Sequence, residues 1–433
     1  MDKGSLMLIR AIILLLFFTL TAVNAAPLSN LTYESSEHIF MGDQVVLHGG
    51  LLSPHLFTLP NGLTLTYGEL ISMPDFYGDP DHQISSESTL FAQKNRFSEA
   101  YDNFAHSDIA YFNAFWPVIQ DERKQITEAI KNNEEVSAVY KRIIGPELLK
   151  LEWVTNFKYF ALAEKSFDHF GDDAWAAYVA GHSVAIDTAI AGYRMVNGFD
   201  NTTNQQCESA KNKSTCLAAA AKTALETAYA ENAFANHFLT DRLAASHMRT
   251  PFRALVTTAS FPDFGAIAGN YMHNEDGKYG VIVTNQKGNV WMAYGDDFYI
   301  DPKNATHRSV IQALLQQSAD EIFTAFEKGY DIDPDSAILK TFLPFPIPPG
   351  NTVVIPNRGS ITQSAPLFVN NQGVVWERQA LNNRFDNTWT KDWSTVQLIL
   401  TYHVVDLSSP LQYFMDEKNA KKSTTISTRA TSH

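Results

Sequence analysis

The chain has 433 residues, 45% hydrophobic and 18% charged, an ordinary folded-protein composition with length for one large domain or two of normal size. Its formal net charge of −14 is the opposite of the basic surface that a sequence-independent nucleic-acid binder uses to neutralise phosphates, so no nucleic-acid partner is expected. Only Cys207 and Cys216 are present, which argues against a zinc site built from several thiolates.

Residues 1–25 come first. Lys3 and Arg10 flank the start, "LMLIRAIILLLFFTLTAV" supplies the apolar run, and Val23-Asn24-Ala25 offers small residues at the cleavage positions. This is the pattern of a secretory signal peptide and predicts export to the periplasm or beyond. The run is short for a membrane span, and nothing downstream is longer, so peripheral rather than integral membrane contact is expected. An oxidising compartment permits Cys207 and Cys216 to pair and close a small loop.

The fold expected is mainly α. Residues 26–300 read as a helical domain, residues 301–418 as a smaller mixed or β-rich domain, and residues 419–433 as a flexible tail. From about residue 97 to 250 apolar residues recur at helical intervals. Asp172 and Asp173 suit the first turn of one helix. The alanine-rich stretch ending in "ENAFANHFLTDRLAASHM" is another, with Ser214 or Thr215 as N-cap and Pro251 marking its far end. After residue 278 the texture alternates: "YGVIVTNQKGNVWMAYG" predicts a hairpin turning at Lys287-Gly288-Asn289. A helix over 308–328 follows, then strands in "TVVIPNRG", "APLFVNNQGVVWERQ" and "TVQLILTYHVVDL".

The chemistry concentrates in "NHFLTDRLAASH". His237 and Asp241 are four apart and share a helical face. His247 is six further on, which at about 100° per residue puts it roughly 120° away on a straight helix. It reaches the same point only if the helix bends or ends first. Imidazole and carboxylate ligands suit zinc in a site without thiols. Further clusters accompany them: His273 with Glu275 and Asp276, His169, His38, and Asp75, Asp79 and Asp81. Several such clusters suggest more than one metal ion, and neighbouring metals can clamp the attacking and leaving oxygens of a phosphoryl group.

The helix "ENAFANHFLTDRLAASH" resembles the signature of the zinc-dependent phospholipase C family, whose pattern the fungal single-strand zinc nucleases share. "LTYGELISMPDFYG", "DHFGDDAWAAYVAGH" and "NHFLTDRLAASHMRTP" are more similar still to the secreted phosphatidylcholine-hydrolysing phospholipases C of Gram-negative bacteria, over roughly residues 30–300. The resemblance implies a cleft binding three zinc ions, with His237, Asp241 and His247 as the central ligands. It implies His38, Asp75 and His169 as further ligands, Asp79 being a rival to Asp75. It also implies His273 with a carboxylate four residues later; Gly277 stands there, so Asp276, or else Glu275, is expected to replace it. Family members whose N-terminal amino group binds zinc start with Trp, whereas this chain has Ala26 or a neighbour after the cut. The implied reaction is hydrolysis of a glycerophospholipid, met at a membrane or micelle surface, to diacylglycerol and a phosphorylated head group. Asp75 is the candidate catalytic carboxylate.

Alternatives are a zinc nuclease on the same helices and a non-catalytic exported binding protein with structural zinc. Phe76, Tyr77 and Trp175 read as core, or else as a face for a quaternary ammonium. "AGHSVAI" approaches a serine-hydrolase elbow, but Ala185 replaces its last glycine and the segment reads as mid-helix, with His182 in the core. Arg249 and Arg253 read as surface residues, contact with a lipid phosphate being the alternative.

Overall fold

The computed structural model describes residues 34–392 apart from 52–53, 164, 259–261, 334–336, 371, 373 and 382. These residues lie within one compact unit, Asn30–Trp393. The expected signal peptide, the strand at 395–407 and the tail lie outside the described residues.

The described helices are α1 Ser35–Gly42, α2 Tyr67–Ile71, α3 Pro74–Tyr77, α4 Leu90–Ala105, α5 Ile109–Lys131, α6 Val136–Val154, α7 Lys158–Ala163, α8 Gly171–Val196, α9 Asn201–Gln206, α10 Lys213–Leu243, α11 Ala245–Met248, α12 Phe252–Thr258, α13 Pro262–Tyr279, α14 Ala305–Lys328 and α15 Ala337–Phe342. The strands are short: β1 Phe57–Thr58, β2 Thr64–Leu65, β3 Val281–Thr284, β4 Val290–Ala293, β5 Phe345–Pro346, β6 Thr352–Ile355, β7 Gly359–Thr362, β8 Leu367–Val369, β9 Val375–Arg378 and β10 Trp389–Thr390. The fold is therefore mainly α, with a smaller β-containing C-terminal region.

The axis of the fold is α10, with α8 packed along it. Alanines buried on both make the close approach possible: Ala228, Ala233 and Ala235 on one, Ala177, Ala180, Ala185 and Ala189 on the other. Gly181 extends this logic, since a Cβ there would fall on the Phe97 ring of α4. The Asn212 side chain caps α10 by accepting from Thr215 N at 3.1 Å, two residues before the expected Ser214. Cys207 and Cys216 are bonded, tying α9 to the first turn of α10. Asp172 and Asp173 stand in the first turn of α8 as read from the sequence. Pro251 does not end α10. The helix stops at Leu243, where Ala244 turns extended (φ −68°, ψ 131°), and α11 restarts at once.

β3 and β4 form the expected antiparallel hairpin, Gly288 supplying a positive φ of 78° at its turn, and β5 adds to β3. β6–β7 and β8–β9–β10 are also antiparallel. α14 packs on both α8 and α10, so the second half of the chain supplies a wall of the helical body.

Polar side chains at one-turn intervals on α10 lock these helices together. Asn232 and Asn236 each donate to Tyr67 Oη at 2.8 Å, and Ser318 of α14 donates to both amide oxygens. His182 bridges Asn232 Oδ1 at 2.7 Å and Glu321 Oε2 at 3.0 Å, which makes it a satisfied core histidine. Ser183 sits mid-helix and donates to Val179 O, so no nucleophile elbow exists here. Replacing Asn232→Ala strands the His182 and Ser318 groups in the core; urea unfolding is expected to show a loss of about 2–4 kcal/mol. A loss within experimental error contradicts the locking role of this network.

Candidate metal centre

The break at Ala244 shapes the site. His237 and Asp241 lie one turn apart at the end of α10, His237 Nε2 being 3.2 Å from Asp241 Oδ2. The chain then changes direction, and His247 on α11 returns to the same carboxylate, its Nδ1 3.9 Å from Asp241 Oδ1. This is the helix ending that the six-residue spacing requires.

Other segments converge on this pair. His38 of α1 donates from Nδ1 to the Thr240 hydroxyl at 2.9 Å, because that hydroxyl itself donates to His237 O at 2.7 Å. Its Nε2 thus faces Asp241 Oδ1 at 3.5 Å. Asp75, in the first turn of α3, brings Oδ1 to 3.4 Å from His237 Nε2 and 3.9 Å from His169 Nδ1. His169 ends the 3-10 turn Phe167–His169, which Asp168 anchors by accepting from Ile84 N and Ser85 N, each at 2.8 Å. Its Nδ1 lies 2.6 Å from Asp241 Oδ2 and 3.0 Å from His237 Nε2. On the far side, His273 of α13 faces His247 with 3.1 Å between the Nε2 atoms, and Asp296 Oδ2 is 2.7 Å from His273 Nε2.

Three groups result, each able to hold a metal ion with ligand atoms within 4.8 Å of one another: His38, His237 and Asp241; Asp75, His169 and His237; His247, His273 and Asp296. All eight residues are buried. The chemistry of the donors fits cations. Nδ1 of His237 is committed to Ile71 O at 2.8 Å and Nδ1 of His247 to His169 O at 2.7 Å, which turns both Nε2 atoms inward. Two ring nitrogens facing each other at about 3 Å repel unless a proton or a cation lies between them. Asp241 Oδ1 is buried and accepts no hydrogen bond from the described residues, so it too calls for a positive partner.

The electrostatics agree. Burial opposes charge on His237, but the Asp241 and Asp75 carboxylates outweigh it and raise its pKa; Asp296 does the same for His273. Burial pushes His247 down to about 4, leaving it neutral, and pushes His38 well below the usual histidine range. More carboxylates stand behind the cluster: burial lifts Glu122 and Asp297 to about 7, and Glu37 accepts from Asp297 N at 3.2 Å and Tyr299 N at 3.0 Å. Those two bonds fix the loop that carries Asp296.

Two expected ligands are absent from the cluster. Asp276 is gripped by Arg249 through two bonds of 2.7 and 2.6 Å, and Glu275 by Arg378 through two of 2.6 Å. The carboxylate beside His273 is Asp296 instead. The reason lies at Gly277, four residues after His273. Gly295 packs onto it, donating to Gly277 O at 3.2 Å, and a Cβ on Gly295 would come 2.9 Å from the Gly277 Cα. The loop after β4 therefore occupies that space and inserts Asp296, which Ser246 holds through Oγ at 3.1 Å. The signal in the sequence is the acidic pair Asp296-Asp297 after the hairpin, 23 residues from His273. Asp79 lies outside the cluster, paired with Arg96 at 3.1 Å and His82 at 3.2 Å. Arg253 grips Asp173. Phe76 is core, stacked on Phe115 at 4.0 Å, Tyr77 is buried beside it, and Trp175 packs on the core edge.

One positioning residue went unread. His307 of α14 accepts from Trp291 Nε1 at 3.1 Å and donates to Leu243 O at 2.7 Å. It thereby satisfies a terminal carbonyl of α10 where the motif breaks.

Comparison with protein-family models, with curated proteins and with solved structures finds no match for the chain.

The Asp296 and Asp276 assignments separate experimentally. Asp296→Asn is expected to lower bound divalent metal, measured by elemental mass spectrometry. Asp276→Asn is expected to keep the metal but destabilise the fold by about 3 kcal/mol, because Arg249 loses its buried partner. The reverse pattern returns the ligand role to Asp276.

Proposed function

We propose that this chain is an exported, zinc-dependent phosphodiester hydrolase: a phospholipase C that cleaves the glycerol-side phosphodiester of glycerophospholipids such as phosphatidylcholine. The observation that carries the reading is the convergence of three adjacent His/carboxylate groups around Asp241 and His237. Neighbouring groups of this kind could hold cations that together would stabilise a phosphoryl group, and they sit on the motif that resembles the phospholipase C signature. Three zinc ions are the count that the three groups suggest.

Zinc, when bound, supplies Lewis acidity that stabilises charge on phosphoryl oxygens and makes water acidic near neutral pH. The chain's own residues do the rest. His237 and His247 are held by carbonyls in the orientation that ligation needs. Asp75 stands at the His237–His169 group, where its carboxylate can orient an attacking water and take its proton. The burial of the whole cluster excludes bulk water and strengthens each of these interactions.

The test is diacylglycerol release from phosphatidylcholine vesicles by the purified chain without residues 1–25. Activity is expected to vanish with a strong chelator and return with zinc. Asp75→Asn is expected to lower kcat by about 10^2 to 10^4 with the fold intact. A head-group panel and single-stranded DNA run alongside. Cleavage of DNA but not lipid replaces the reading with the nuclease, and bound zinc with neither activity replaces it with a binding protein.

A further inference from the structure

Helix α6 exposes a surface that the metal centre does not use. Its inner face is buried through Val139, Tyr140, Ile143, Ile144 and Leu151. Its outer face carries Leu149 at 54% exposed and Trp153 at 79%, one turn apart, and the turn that follows adds Phe157 at 57%. Arg142 and Pro146 continue the same stripe toward the N-terminus, at intervals that keep one face. A tryptophan this open places a large apolar ring in water at a cost that folding does nothing to remove.

Along the stripe itself the exposed charges are of one sign, while Asp121 beside Glu147 and Asp79 beside Lys158 come from neighbouring elements. From Ala138 to Lys158 the exposed charged residues are Lys141, Arg142, Lys150 and Lys158, while Glu147 and Glu152 are buried. This stands out in a chain of net charge −14. Protruding aromatic and aliphatic side chains ringed by lysine and arginine are the combination that partitions into an anionic lipid interface: the rings sit at head-group level and the cations meet the lipid phosphates.

The stripe is also next to the metal centre. The Lys158 ammonium lies 4.4 Å above the Tyr111 ring and 5.9 Å from that of Tyr77, and Tyr77 shares α3 with Asp75. Tyr159 stacks on Phe76 at 5.3 Å, and Leu162 of α7 lines a cavity together with Tyr77, Phe238 and His169.

We propose that the tip of α6 with its following turn, Leu149, Trp153 and Phe157 flanked by Arg142, Lys150 and Lys158, is an interfacial docking element for an anionic phospholipid surface. It extends the phospholipase reading by naming the face that meets the lipid, but its test does not depend on hydrolysis. Binding is read by flotation on vesicles of phosphatidylcholine with about one third phosphatidylglycerol, in chelator, so that no lipid is consumed. The full chain without residues 1–25 is expected to float with the vesicles. Trp153→Ala with Phe157→Ala is expected to weaken partitioning at least tenfold. Lys150→Glu is expected to weaken binding about fivefold on the anionic vesicles and little on phosphatidylcholine alone. Because all three positions are exposed, thermal unfolding of the variants is expected to match the wild type. Hydrolysis of a water-soluble phosphodiester, where the parent shows it, is expected to stay within twofold. Vesicle binding unchanged in the double variant overturns the proposal. So does a wild-type dimer in sedimentation that Trp153→Ala splits, since the stripe is then a contact between copies. Loss of hydrolysis with vesicle binding intact, as in His237→Ala, bears on the metal centre and leaves the docking face standing.

Discussion

Asp241 is the group that the rest of the site answers to. A carboxylate withdrawn from water costs several kcal/mol unless positive charge and donors meet it. Here four imidazoles close on it from four directions: His169 at 2.6 Å, His237 at 3.2 Å, His38 at 3.5 Å and His247 at 3.9 Å. Each arrives on a different element, so the carboxylate joins α1, the turn before α8, the end of α10, and α11. Even so, Oδ1 receives no hydrogen bond from the described residues. The geometry is complete for a cation and incomplete for a core.

Such a centre tolerates little movement, and the buried polar groups above it explain how it is held. Asn232, Asn236 and Thr240 climb α10 one turn at a time, each engaged with another element, and the ladder ends on His38. His307 secures the last carbonyl of the same helix from α14. The alanine-rich sequence serves this arrangement. Short side chains let α8 lie close to α10, which brings the turn carrying His169 within reach of Asp241. Helix propensity, packing and ligand placement are thus satisfied by the same residues.

The sequence disclosed the parts of this that are local. The His-x-x-x-Asp pair needs only helical period, and the six-residue step to His247 demanded an interruption that the structure places at Ala244. The hairpin announced itself through Lys287-Gly288-Asn289, and the pairing of Cys207 with Cys216 through their closeness in the sequence. What stayed hidden depends on tertiary approach. Asp276 shares a helical face with His273 but has the wrong neighbour, because Arg249 stands opposite it. Asp296 has no periodic relation to any histidine and reaches the site only because two glycines, Gly277 and Gly295, let a loop press against a helix. Arg249 itself read as a surface residue, and its role is visible only once α13 packs beside α11.

The distribution of charge connects the centre to the whole chain. Asp75, Asp241 and Asp296 face the cluster, with Glu37 and Glu122 buried and Asp297 half-buried just behind it. That concentration of negative charge is an electrostatic sink for divalent cations and is self-repelling without them, so protons must stand in when metal is absent. The carboxylates raise the pKa of His237 and His273, and burial above all, with neighbouring carboxylates behind it, raises Glu122 and Asp297. A divalent cation held here would displace those protons, and part of its binding free energy would return as stability of the elements that meet at Asp241. The folding of this region and the filling of its site would then be one linked equilibrium, in which the same repulsion that weakens the cluster without an ion strengthens its hold on one.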